Sequence, residues 1–175
     1  GELAIDTQIG DIRIVGAAVS EVAVVAEISG STREVERFRV DAVATNGGVK
    51  VTGEAGKSSW WRFGGRNLQV TYTVQVPEEF RLELGTSGGD IQVRNVRGRL
   101  NASTSGGDVD LRDIGGPATA NTSGGDIDVA RAQGNLRART SGGDIKLSDV
   151  VGDAEVRTSG GDIQIRNVDG EVTAR

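Results

Sequence analysis

The chain has 175 residues, among them 27 Gly, two Trp, one Tyr and three Phe, with no Cys, His or Met. Without His or Cys it cannot assemble a Ser-His-Asp or Cys-His nucleophile, a zinc finger, a thiol redox pair or an ordinary transition-metal site, so any chemistry must come from carboxylates, Lys, Arg, Ser, Thr or Tyr. The few aromatics imply a long, thin core of small aliphatics, and no catalytic or cofactor-binding residue is singled out. Twenty basic against 25 acidic residues give a formal net charge of −5, which argues against nucleic acid as the main partner. No apolar run reaches the roughly 18 residues of a membrane span. The chain opens on Gly1-Glu2, so any export signal is expected to have been removed or not included.

Taken in order, Gly10-Asp11-Ile12-Arg13-Ile14 reads as a first strand by its alternation. Ser31 and Glu34 have capping-box spacing ahead of Val35 and Phe38, which predicts one short helix of about two turns, placed to cover the first coil and shield its open edge. Asn46-Gly47-Gly48-Val49-Lys50-Val51 sets a Gly pair before another strand. The loop from Lys57 to Gly65 contains Trp60, Trp61, Arg62 and Phe63; its rings either pack over the fold or form a contact surface. Leu68, Val70, Tyr72, Val74 and Val76 alternate up to Pro77, where the missing N–H should end the ladder. Phe80, Leu82 and Leu84 then form an apolar lead-in to a regular C-terminal half.

From Thr86 onward the chain repeats. Thr-Ser-Gly-Gly-Asp begins at Thr86, Thr104, Thr122, Thr140 and Thr158, with no insertion between copies. Ile91, Val109, Ile127, Ile145 and Ile163 follow the Asp, with Val93, Leu111, Val129, Leu147 and Ile165 two positions on. A Gly then recurs at Gly98, Gly116, Gly134, Gly152 and Gly170, before a second alternating pair such as Leu100 and Ala102. Each 18-residue unit is two short strands and two turns. So few small apolar side chains cannot offset the entropy of ordering the unit alone, and stacking must supply the difference. The expectation is an all-β, parallel single-stranded β-solenoid (β-helix) in one domain, 1–175. Residues 1–85 would form irregular N-terminal coils and 86–175 five regular ones.

These residues resemble a family of bacterial putative adhesins with β-strand repeats, catalogued as domain of unknown function 4097. The resemblance rests on the Gly-Asp-Ile-Arg-Ile segment, Val76-Pro77, the Leu82 to Leu84 lead-in and the serial Thr-Ser-Gly-Gly-Asp coils. It implies a right-handed winding and an exported, extracellular or envelope-attached protein linked to adhesion or envelope stress. It supplies no catalytic residues to carry over.

The Asp column (Asp90, Asp108, Asp126, Asp144, Asp162) is the sharpest chemical feature. Carboxylates stacked about 4.8 Å apart repel, so each is expected to accept hydrogen bonds from the Ser hydroxyl and N–H groups of its own turn, with Arg139, Arg157, Arg175 or Arg94, Arg112, Arg166 sharing the charge. Calcium is the alternative for this column, but calcium-binding rolls place Asp two residues before the inward aliphatic and on both turns. Here Asp directly precedes Ile and the second turn has only Gly. The Gly pair is expected to supply a positive φ. No helix follows it to cradle phosphate, and no outward Thr-x-Thr array suggests ice binding. Polysaccharide-acting β-helix enzymes build their clefts from long insertions, which the five repeats lack. The sequence thus points to a non-enzymatic surface, structural or adhesin-like protein without cofactor. Its partners would be a cell-surface component or further copies stacked end to end as a filament, with envelope-stress sensing or ligand binding as the alternative.

Overall fold

The computed structural model describes residues 1–55 and 68–175. In chain order these form β1 (Glu2–Thr7), β2 (Asp11–Ala17), β3 (Ala23–Ser29), α1 (Thr32–Val35), β4 (Phe38–Thr45), β5 (Gly48–Ala55), β6 (Gln69–Pro77), β7 (Arg81–Thr86) and β8 (Ile91–Val96). They continue as β9 (Leu100–Ser103), β10 (Val109–Ile114), β11 (Ala118–Asn121), β12 (Ile127–Gln133), β13 (Leu136–Arg139), β14 (Ile145–Val151), β15 (Ala154–Arg157), β16 (Ile163–Asp169) and β17 (Val172–Ala174). The strands make two sheets, in the orders β17-β15-β13-β11-β9-β7-β1-β5-β4 and β16-β14-β12-β10-β8-β2-β6-β3.

Through the repeats the pairing is parallel and in register. Val93 lies opposite Leu111, Leu111 opposite Val129, Val129 opposite Leu147 and Leu147 opposite Ile165. Like side chains therefore form continuous columns, and one apolar cluster draws on both sheets from Leu3 to Val156. Period-2 alternation explains the inward set: Ile91, Val93, Leu100 and Ala102 are buried while Gln92 and Asn101 face out. Tyr72, fully buried, donates or accepts a 3.1 Å hydrogen bond with Thr7, and burial raises its pKa.

The N-terminal part departs from a simple parallel start in two ways. First, chain order is not spatial order. β1 lies between β5 and β7, and β2 between β6 and β8. The chain builds its second coil on one side of its first, then returns past it through Glu78, Glu79 and Phe80 to start β7 on the other side. Second, β3 pairs β6 and β4 pairs β5 antiparallel. These two strands, not the helix, cover the outer edges of the β5 and β6 coil. The helix is a single turn with no buried residue, so it has no apolar face to lay on the edge. Its start is as the sequence indicates: Glu34 Oε2 accepts from the Ser31 N–H at 3.1 Å and the Ser31 hydroxyl at 2.6 Å. That hydrogen bonding holds the Glu34 carboxyl below its ordinary value.

Candidate functional site

The repeated corner is built around Thr, a role that sequence reasoning misses in favour of Asp. Thr122 Oγ1 donates to Gly107 O of the preceding coil at 2.8 Å and accepts from the N–H of Gly125 in its own turn at 3.3 Å. Thr104, Thr140 and Thr158 repeat both bonds. The signal lies in the alternation Leu100, Ala102, Thr104, which turns Thr inward.

The Asp column makes different bonds from those expected. Asp90 Oδ1 accepts from the N–H of Asp108, Asp108 from Asp126, Asp126 from Asp144 and Asp144 from Asp162, each at 2.8 Å. Asp11 extends the ladder to the N–H of Asp90 at 3.1 Å. Each carboxylate therefore ties its coil to the next rather than closing its own turn, because parallel stacking brings the following Asp N–H directly alongside it. The arginines do not share this charge as expected. Arg139 binds Glu155 and Arg112 binds Asp110; among the described residues, Asp11 alone of the ladder carboxylates has an arginine within ion-pair distance, Arg13 at 3.9 Å. One oxygen of each ladder carboxylate from Asp90 to Asp144 is committed to an N–H, and among the described residues no three His, Cys, Asp or Glu are grouped to hold a metal.

The Gly pairs of the Thr-Ser-Gly-Gly-Asp turns do not take a positive φ either. The second Gly of each pair lies hard against the previous coil: a Cβ on Gly107 would run into Gly89 O, and one on Gly125 into Gly107 O. The first Gly has room, the nearest atom to a Cβ on Gly124 being Ser105 O at 3.6 Å. Close approach, not backbone freedom, demands the glycine.

In the repeats positive φ occurs instead at the second-turn glycines Gly134 (109°), Gly152 (128°) and Gly170 (154°) and, outside glycine, at one residue per coil, Asn95 (58°), Asp113 (56°), Arg131 (55°), Asp149 (55°) and Asn167 (51°). This left-handed residue interrupts the alternation, so Val93 and Val96, three apart, both face the core. Its side chains stack outside. Arg131 grips Asp113 through Nε at 2.6 Å and a second guanidinium nitrogen at 2.9 Å, which holds the Asp113 carboxyl below its usual value.

The outward face of β9, β11, β13 and β15 carries a recess. It measures about 340 Å³, with Thr119 on its floor and Arg99, Asn101, Asn135, Arg137 and Glu155 among its walls. Glu155 accepts from Arg137 at 2.8 Å and Arg139 at 2.6 Å. The hydrogen bond from Arg139, then that from Arg137, lowers its pKa to about 2, so it stays ionised. The expected contact surface, Trp60, Trp61, Arg62 and Phe63, lies outside the described residues. Among the described residues no helix is long and apolar enough to cross a membrane.

No curated protein matches the sequence. A solved structure of a putative cell adhesion protein from Clostridium sporogenes superposes with a TM-score of 0.62 at 11% identity, covering 94% of this chain and 91% of that one. A putative adhesin from Bacteroides fragilis aligns over 99% of this chain and 91% of that one at 13% identity, but its TM-score of 0.40 adds nothing to the fold argument. The sequence pattern of Toastrack DUF4097 matches residues 1–174, in agreement with the stacked Thr-Ser-Gly-Gly-Asp corners, and the chain belongs to that family.

Proposed function

We propose that this is a non-enzymatic, adhesin-like or structural protein of the cell surface or envelope, exported and built as a single domain of right-handed 18-residue coils. The observation that carries the reading is the uninterrupted register of the repeats, which lays outward side chains in straight polar columns with no inserted loop rising to make a cleft. Such a face suits many weak contacts with an extended partner better than one reacting centre. The name of the Clostridium sporogenes neighbour is consistent with it. The test is retention of the purified protein on intact bacterial cells and isolated envelopes. Retention that saturates supports the reading; none, on any envelope fraction, removes it in favour of envelope-stress sensing within a larger assembly.

End-to-end self-association is the second form of this reading. The edge strands β3 and β4 expose Val25 and Val43 by more than half (55% and 59%), and at the opposite end β17 exposes Val172. A copy stacked on the β3 and β4 edge would pair across antiparallel strands rather than continue the Asp ladder. Electron microscopy at high protein concentration decides it: filaments support assembly, and uniform monomers exclude it.

A further inference from the structure

We propose that the recess over Thr119 is a binding site for a carboxylate-bearing saccharide, of the uronic-acid type. The proposal deepens the surface-binding reading and rests on it for its biological setting.

The recess arises from the columns. Asn101, Thr119, Arg137 and Glu155 occupy one outward column, in register across β9, β11, β13 and β15. Thr119 is the short member. Beside it Arg99, Pro117 and Asn135 immediately precede β9, β11 and β13, and there the rigid, short Pro117 again stands between longer neighbours. One coil with small outward side chains, flanked by coils with large ones, leaves a notch about 10 Å across from Asn101 to Arg137 at the usual strand spacing. Its volume of about 340 Å³ lies at the lower end of ligand sites.

The walls differ in their commitments. Arg137 is ion-paired with Glu155, which it shares with Arg139, Asn101 donates to Glu83 at 2.6 Å, and Asp153 accepts from the Glu171 N–H at 3.1 Å. Arg99 has no ion-pair partner among the described residues. The site thus offers one free guanidinium at one end, suited to two-point capture of a carboxylate. Along the rest, the Thr119 hydroxyl and the Asn135 amide join pre-oriented polar groups that both donate and accept.

That pattern fits a ring of hydroxyls with one acid group. A peptide is disfavoured because β9, β11, β13 and β15 are each paired on both flanks, so no backbone edge is free for an added strand. Nucleic acid is disfavoured because the lining sets Asp153 and Glu155 against Arg99 and Arg137, which leaves the recess without the excess of positive charge a polyanion needs.

Isothermal titration with trigalacturonate as probe tests the assignment, with a neutral galactose trisaccharide as its counterpart. Wild type is expected to bind the acidic sugar at least tenfold more tightly than the neutral one. Arg99→Gln should erase that preference, Thr119→Trp should abolish binding of both, and Lys146→Gln, on the other sheet, should leave binding unchanged; thermal melts establish that each variant is folded. No binding by wild type, equal binding of the two sugars, or undiminished binding by folded Arg99→Gln and Thr119→Trp proteins would each overturn the proposal. Envelope retention of the same variants separates the two readings. If Thr119→Trp is retained like wild type, the surface role stands and the groove is not its means; if wild type binds trigalacturonate but no envelope, the site stands without that role.

Discussion

Asp108 Oδ1 accepts a 2.8 Å hydrogen bond from the backbone N–H of Asp126, eighteen residues further along the chain. The same bond recurs from Asp90 to Asp162, so a row of like charges on the outside of the fold acts as a set of staples between coils. The stabilising atom is an acceptor oxygen that need not be charged, and the charge itself adds repulsion between neighbours.

Asp126 therefore separates acceptor from charge. Asp126→Ala is expected to lower stability by about 1 kcal/mol through loss of the bond to the Asp144 N–H. Asp126→Asn keeps an acceptor oxygen and should match or exceed wild type. Urea midpoints read both; an Asn variant as weak as the Ala variant would show that the charge is needed.

Calcium gives a second check on the same row. Because an oxygen of each ladder carboxylate from Asp90 to Asp144 already serves a backbone N–H, the thermal midpoint is expected to be the same in millimolar calcium and in chelator. A rise of several degrees with calcium would reverse the assignment of these carboxylates as staples.

The two glycines of a single turn should respond in opposite ways. Gly125→Ala drives a methyl group into Gly107 O and is expected to cost about 3 kcal/mol or more. Gly124→Ala has space and an ordinary φ, so it should be neutral or stabilise by up to about 1 kcal/mol, by restricting the unfolded chain. Equal effects in denaturant melts would remove close stacking as the reason for the pair.

Asn95 holds φ at 58°, where side chains other than Asn, Asp and Gly are strained. Asn95→Val is expected to cost about 1–2 kcal/mol, while Asn95→Gly stays within about 1 kcal/mol of wild type. A Val variant as stable as wild type would mean that this corner is not held left-handed in solution.

Glu155 supplies a pH signature. Its folded-state pKa is depressed from 4.5 to about 2, so its contribution is complete above the ordinary carboxylate value and is lost as pH falls from about 4.5 towards about 2. The stability gap between wild type and Glu155→Gln should accordingly be constant from pH 7 to 5 and shrink below pH 4.5. A gap that persists to pH 2 would mean that the two guanidinium contacts do not form in solution.

The sequence by itself determined the repeat, the two strands per repeat and the inward set. An unbroken interval between Thr86, Thr104, Thr122, Thr140 and Thr158, combined with alternation, allows only in-register stacking if every column is to stay apolar. It also located the helix start at Ser31 and the strand end at Pro77. Tertiary structure alone decided what each polar group bonds to. The partner of Asp11 is Asp90, 79 residues away, and no local pattern announces a bond between residues so far apart. The same is true of β1 inserted between β5 and β7, of the glycine that a neighbouring carbonyl requires, and of the recess over Thr119. Each exists only because coils distant in sequence are pressed to one strand spacing. A single chain segment specifies which way its side chains face, while the identity of what they meet belongs to the stack.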